Sequence, residues 1–376
     1  MMIIKNITNG INTTKKAAMY YKTEPFYVNV QNYVHTNNWE ILQAIKILNH
    51  RGYSVDLIDR GCTEWNPTEP YDLFLGLGVG NTGRNFVKWA TKSRAPRKVL
   101  LSMGPQPDVS NKLVLERYRL FNERTSRQAP PMRTVEEVTG DKFLEMANTA
   151  THIFNIGEKN IPSYKSLLGY DRPVLNFYPS ISPKVNFNEN WLNSRKMNSF
   201  LCFAGNGFIC KGVDLVVESF LKTPDKELHI CGPASESAFF EYYKNYIDKS
   251  DNIKYHGFIE PGGERFNDIA SKCSFVVFHS AAEGCCTSVA TAMKAGLVPI
   301  VNDWTGILID NSVIEIESGG DFIKNITQSV NAASKMSQQN YEKKVSAVLE
   351  KTNLFSQESF TKSYAAALDA VEGIID

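Results

Sequence analysis

Short apolar runs of strand length recur along this chain, separated by helical stripes and punctuated by Gly, Pro or Asn. Strands joined through helices cannot pair as hairpins. They line up in parallel, and the expected fold is α/β with doubly wound sheets covered by helices. Phe26 to Val30 reads as a strand, and Trp39 to Asn49 as a helix with Ile41, Leu42, Ile45 and Leu48 on one face. Gly52 and the strand Ser54 to Ile58 complete one βαβ unit. Leu73 to Leu77, Val99 to Ser102 and Thr151 to Ile156 are further buried strands. From Pro179 to Ser199 the sequence turns polar and loses periodicity, and a second alternating series begins at Phe200. A length of 376 residues fits two domains, each large enough for its own core. The expected division is an N-terminal Rossmann-like domain over 1–180, a second over 181–355, and a last helical segment over 356–376.

The stretch Phe278 to Ile300, FHSAAEGCCTSVATAMKAGLVPI, is the most informative for function. Phe275 to Phe278 is a strand, Glu283 and Gly284 occupy the turn, and Thr287 to Ala295 reads as a helix closed by Gly296. A helix N-terminus offers unpaired N–H groups and partial positive charge to a phosphate. The adjacent carboxylate accepts hydrogen bonds, as sugar hydroxyls require. Three further segments matter with it: Gly205 to Phe220 (GNGFICKGVDLVVESF), Leu228 to Pro233 (LHICGP) and Asn252 to Ile259 (NIKYHGFI).

In order and spacing these four segments, over roughly residues 199 to 303, resemble the donor-binding half of GT-B glycosyltransferases. The resemblance is strongest to glycosyltransferase family 4, whose members transfer sugars from nucleotide donors with retention. The N-terminal half is similar only in layout. The resemblance implies two Rossmann-like domains facing across a cleft, the first binding acceptor and the second a nucleoside diphosphate sugar, with the last helix packing back on the first domain. It implies that Glu283 holds the donor sugar and that Lys211 stabilises charge on the departing phosphate, the two being the catalytic candidates. Donor binding by Gly205, Asn206, Gly207, Gly232, His256, Gly257, Phe258, Gly284, Cys285, Cys286, Thr287, Ser288 and Thr291 follows in the same way. No organic cofactor is implied; the nucleotide sugar is a substrate.

The chain departs from the family pattern at three places. The second glutamate, eight positions after the first, is Thr291 here, a neutral hydroxyl in place of an ionised acceptor for the ribose. The arginine five positions before the lysine is Asn206. The first-domain histidine has no counterpart in LLSMGPQPD at Leu100 to Asp108. Two functions stay open: an enzyme using a front-face route, in which the leaving phosphate helps deprotonate the acceptor, or a non-catalytic module that binds a sugar nucleotide or glycan, or supports a partner transferase.

Other chemistry has thin support. Lys+Arg 41 against Asp+Glu 40 leaves the chain nearly neutral, and nothing in that balance points to bulk nucleic-acid binding. Seven cysteines without a C-x-x-C pair fit reduced thiols and a cytoplasmic location, and MMIIKNITNG shows no secretory pattern. No apolar run has the length of a membrane span. Histidines are scattered and no D-x-D occurs, so transfer is expected to proceed without a metal. Gly78, Gly80 and Gly83 spell G-x-G-x-x-G, but no acid follows about twenty residues on, and the loop reads as a wall of the cleft or a surface turn. Asp59, Asp72 and Asp108 sit near strand ends and read as loop caps or an acceptor-side base. Arg84, Lys88, Lys92, Arg94, Arg97 and Lys98 form a basic stretch that fits peripheral contact with anionic lipid or a solvated helix face.

Overall fold

The computed structural model describes residues 3–27, 36–78, 85–132, 140–169 and 173–373. The chain forms two compact units, Met1–Asn111 with Thr134–Ser180 and Gln357–Asp376, and Lys112–Arg133 with Ile181–Ser356.

The first unit is built on seven strands: β1 (Ile3–Ile7), β2 (Lys15–Tyr21), β3 (Tyr53–Asp59), β4 (Leu73–Leu77), β5 (Arg97–Ser102), β6 (His152–Ile156) and β7 (Val174–Phe177). Their order is β1-β3-β2-β4-β5-β6-β7; β1 runs antiparallel to β3 and the other pairs are parallel. The strand order reverses between β2 and β4. Ala17, Ala18 and Tyr20 of β2 and Leu73, Phe74 and Leu75 of β4 are fully buried, as central strands covered on both faces must be. The first βαβ unit starts at β2, not at Phe26 to Val30. Pro25 lies within a single 3-10 turn, Glu24–Phe26, because its fixed φ suits the start of a helical turn and it has no N–H for a ladder. Residues 28 to 30 lie outside the described residues. The two lysines opening KKAAMYY mask β2 in the sequence, yet the five residues after them are all buried.

Helix Gln357–Glu372 belongs to this unit. Tyr364 meets Phe154 and Phe177 edge-on at centroid distances of 5.4 and 5.3 Å, and Arg51 bonds Glu372 at 2.6 Å.

The second unit carries six parallel strands: β8 (Lys196–Phe203), β9 (Glu227–Cys231), β10 (Ile253–Tyr255), β11 (Cys273–Phe278), β12 (Val298–Val301) and β13 (Ile314–Glu315). Their order is β10-β9-β8-β11-β12-β13. Chain order runs outward one way from β8 and the other way from β11, so the sheet has its switch point between these two paired strands. All six residues of β11 are buried. Helix Val213–Leu221, after β8, is buried on nearly every side, through Val213, Leu215, Val216, Val217 and Phe220. The segment Lys112–Arg133 groups here rather than with residues 1–111. Its Arg124 pairs with Asp214 and, at 3.1 Å, with Glu218, and its Tyr118 hydroxyl donates to Glu236 at 2.6 Å. Among the described residues no helix is long and apolar enough to cross a membrane.

Candidate functional site

Two loops leave the carboxyl ends of β8 and β11, the neighbouring strands at which the strand order reverses and where open α/β sheets bind ligands. The β8 loop opens with exposed Gly205 and Asn206, then folds under itself through buried Gly207, Phe208, Ile209 and Cys210 to Lys211. Glu236 holds this turn from below: its carboxylate accepts from the Ile209 N–H at 2.8 Å as well as from Tyr118, and burial raises its pKa. The β11 loop, His279 to Cys286, is tied to the 3-10 turn Asp303–Thr305 after β12. The Glu283 N–H donates to Trp304 O at 2.9 Å and the Cys286 N–H to Thr305 O at 2.8 Å. Gly306, at φ +71°, makes this fit possible, because a Cβ there would lie 2.0 Å from Gly284 O.

The loops are also fastened to each other. The Ala281 N–H donates to Cys210 O at 2.9 Å. Gly212, at φ +70°, lies so close to the β11 loop that a Cβ would sit 2.2 Å from His279 O. Between these two fastenings, Lys211 Nζ meets Glu283 Oε1 at 2.5 Å, with side chains 7% and 12% exposed. The ammonium also lies 5.7 Å from the Phe278 ring centroid. Such a pair is held by its surroundings rather than by solvent, and removing either member takes a counter-charge from the other inside the fold.

The remaining predicted residues follow β9, β10 and β11 of the same sheet. Gly232, after β9, has no room for a side chain, since a Cβ would meet Ala204 O at 2.5 Å. Its N–H donates to Gly257 O at 2.8 Å, joining the β9 and β10 ends. His256 Nε2 lies 2.9 Å from His229 Nδ1, with the rings stacked. Burial lowers both histidines, His229 to about 4. Phe258 is half exposed. Gly284, Cys285, Cys286, Thr287 and Ser288 run from the Glu283 turn into helix Thr287–Lys294, whose N-cap, Cys286, makes no side-chain capping bond. Cys286 Sγ is 3.2 Å from Ser288 Oγ, and burial raises its pKa. Thr291 is buried, and its hydroxyl donates to Thr287 O at 2.7 Å, which leaves it an acceptor at most.

Some candidates serve the fold. Asp59 accepts from the Thr23 and Gly61 N–H groups, Asp72 from Lys16 N–H, and Asp108 from Gly140 N–H. Lys88 donates to Thr63 O, and Lys92 to Trp65 O and Asn66. Arg94 is the left-handed C-cap of helix Phe86–Ser93, and Arg97 and Lys98 open β5. Arg84, Gly80 and Gly83 lie outside the described residues, while Gly78 packs where a Cβ would strike Leu100 at 2.1 Å. Among the described residues no three His, Cys, Asp or Glu side chains gather to hold a metal ion.

Sequence reasoning missed Glu236, Arg117 and His279. His279 adjoins the Glu283 motif, but nothing in its sequence neighbourhood marks it. Arg117 lies 162 positions before it, on a helix rich in other charges.

Residues 186–314 match the family described as glycosyl transferases group 1. Comparison with curated protein sequences gave no match. The fold is similar to that of the pneumococcal O-GlcNAc transferase GtfA in complex with UDP and GlcNAc, with TM-score 0.55 and 13% identity over 80% of this chain. The chain spans 57% of that protein's length. It is similar to Anabaena Alr3699/HepE in complex with UDP and glucose, with TM-score 0.62 and 12% identity over 95% of this chain and 100% of that one. It is similar also to sucrose-phosphate synthase from Thermosynechococcus elongatus, with TM-score 0.61 and 12% identity over 96% of this chain and 100% of that one. Residues 186–314 thus match the glycosyl transferases group 1, within a chain that has the GT-B fold.

Proposed function

We propose that this protein is a glycosyltransferase of the family 4 kind, which moves a sugar from a nucleoside diphosphate sugar to a hydroxyl of a glycan or other acceptor, with retention and without a metal ion. In this reading 181–355 holds the donor and 1–180 the acceptor. The observation that carries it is the Lys211–Glu283 pair at 2.5 Å, at the switch point of a parallel sheet, inside the region that matches the family. Similar folds have been captured with UDP and a sugar, which supports a nucleotide-sugar donor.

Each group has a chemical task. The Glu283 carboxylate accepts hydrogen bonds from sugar hydroxyls, and the Lys211 ammonium, with three donors, serves both Glu283 and the β-phosphate. As the bond between the anomeric carbon and the phosphate oxygen breaks, the electron pair stays on the phosphate and Lys211 stabilises the growing charge. The acceptor oxygen bonds the anomeric carbon on the same face, and its proton passes to the leaving phosphate. The backbone N–H groups opening helix Thr287–Lys294 add partial positive charge at the phosphate.

The test is titration with a panel of nucleoside diphosphate sugars, followed by product analysis with hydroxyl acceptors. Saturable binding and transfer are expected, and binding of none of the donors overturns the proposal. The non-catalytic reading keeps support from one feature: Thr291 bonds its own helix, so no ionised side chain replaces the family's ribose-binding glutamate there. Binding without turnover of any donor selects it. Peripheral membrane contact has weaker support, since Lys88 and Lys92 already bond neighbouring carbonyls.

A further inference from the structure

Arg117 is almost wholly buried, 4% exposed, on a stretch of helix that packs within the second unit. Among the described residues its only hydrogen-bond partner is His279: Nη1 donates to the His279 carbonyl at 2.8 Å, and Nη2 lies 2.7 Å from His279 Nδ1. A guanidinium has no acceptor. His279 Nδ1 must therefore accept, and the ring proton must sit on Nε2. Burial and the adjacent guanidinium both favour the neutral ring. Nε2 is buried with no hydrogen-bond partner among the described residues, so the ring does not orient itself. Arg117 and the Phe322 ring, 4.8 Å away, hold it in place, and the guanidinium itself lies 5.7 Å from the Phe322 centroid.

The same guanidinium supports the Lys211 turn. A Cβ on Gly212 would lie 2.6 Å from Arg117 Nη1, so the glycine beside Lys211 rests on it. Arg117 thus touches both loops that carry the Lys211–Glu283 pair. The acid nearest in effect, Asp214, is hydrogen-bonded to Arg124 instead. A buried cation with no carboxylate in hydrogen-bond contact, its nearest acid shared with Arg124, leaves positive charge that a diphosphate beside Lys211 would complement. The arginine that the family carries five positions before the lysine is here the exposed Asn206.

Building on the donor reading above, we propose that Arg117 is a positioning residue for the diphosphate: it locks His279 as the Nε2–H tautomer, props the Lys211 turn, and supplies from beneath the positive charge that Asn206 lacks.

The experiment measures affinities of wild type, Arg117→Gln and Arg117→Lys for UDP, inorganic pyrophosphate and uridine. It adds 15N-edited spectra of the His279 ring. Wild type is expected to show the Nε2–H tautomer. Arg117→Gln is expected to lose about tenfold in UDP and pyrophosphate affinity, the scale of removing one cation that acts through the protein interior, with uridine unchanged. Arg117→Lys keeps the charge and is expected to recover most of the loss. Equal losses for UDP and uridine, or unchanged UDP affinity in folded Arg117→Gln, overturn the proposal. So does an Nδ1–H tautomer in wild type, a result that needs no variant to fold. Wild type that binds neither UDP nor pyrophosphate overturns the donor reading itself, and this proposal with it.

Discussion

Replacing Lys211 by alanine takes the cation away from a carboxylate that the fold has already withdrawn from water. Glu283 Oε1 lies 2.5 Å from the ammonium and its side chain is only 12% exposed, so solvent cannot replace the lost partner without opening the loop. Breaking a buried pair from one side costs about 3–5 kcal/mol. For a domain of this size that is a fall in melting temperature of roughly 6–20 °C. Glu283→Gln strands the ammonium instead and is expected to cost a similar amount. The double variant Lys211→Met/Glu283→Gln leaves neither charge behind, and its stability is expected to return most of the way to wild type. Donor affinity is expected to behave differently. Each lost charge-assisted hydrogen bond weakens nucleotide-sugar binding by about 1.5–3 kcal/mol, roughly 10- to 150-fold, and the double variant recovers none of it. Urea unfolding and calorimetric titration on the four proteins complete the cycle. Additive stability losses refute the buried-pair argument, and a double variant that binds the donor like wild type refutes a ligand role for both residues.

Gly212→Ala forces a side chain to φ +70° and within 2.2 Å of His279 O, and is expected to cost roughly 2–5 kcal/mol and to separate the two loops; an unchanged melting temperature would refute the close approach. His229 is lowered from 6.5 to about 4, chiefly by burial. Between those values the unfolded chain binds a proton that the native state refuses, so stability should fall as pH drops from 6.5 to about 4 and level off below. His229→Gln should flatten that slope in melts across the range, and an unaltered slope would count against it. Glu40 is raised from 4.5 to about 7 by burial, against the opposing hydrogen bonds from Ser180. Its neutral form is favoured on folding, so its contribution is full below pH 4.5 and lost as pH rises through about 7. Glu40→Gln should therefore melt higher than wild type at pH 8 and equally at pH 4; the reverse order would show that its carboxylate is preferred when buried.

Much of the second unit was legible from sequence because its signals are local. Phe275 to Phe278 is a continuous apolar run, and a strand buried on both faces needs nothing else to declare itself. The turn holding Glu283 and the helix after it follow from short-range rules of capping and periodicity. In the first unit the same reasoning placed β3 to β6 but misplaced the start. β2 opens with two lysines, whereas PFYVNV has the composition of a strand and Pro25 governs its beginning. At β2 itself, local propensity gave way to the demand for a central strand between β3 and β4.

Residue type and chain order alone determined that parallel strands would alternate with helices and that one lysine and one glutamate would each follow a buried strand. Tertiary structure decided that those two strands are neighbours, which brings Lys211 and Glu283 to 2.5 Å although they are 72 positions apart. It also decided that Arg117 supports both loops from 162 positions away. Periodicity acts over a few residues and is written in the chain, whereas a buried charge is matched by whichever polar group the packed fold brings beside it, and no short-range pattern records that group.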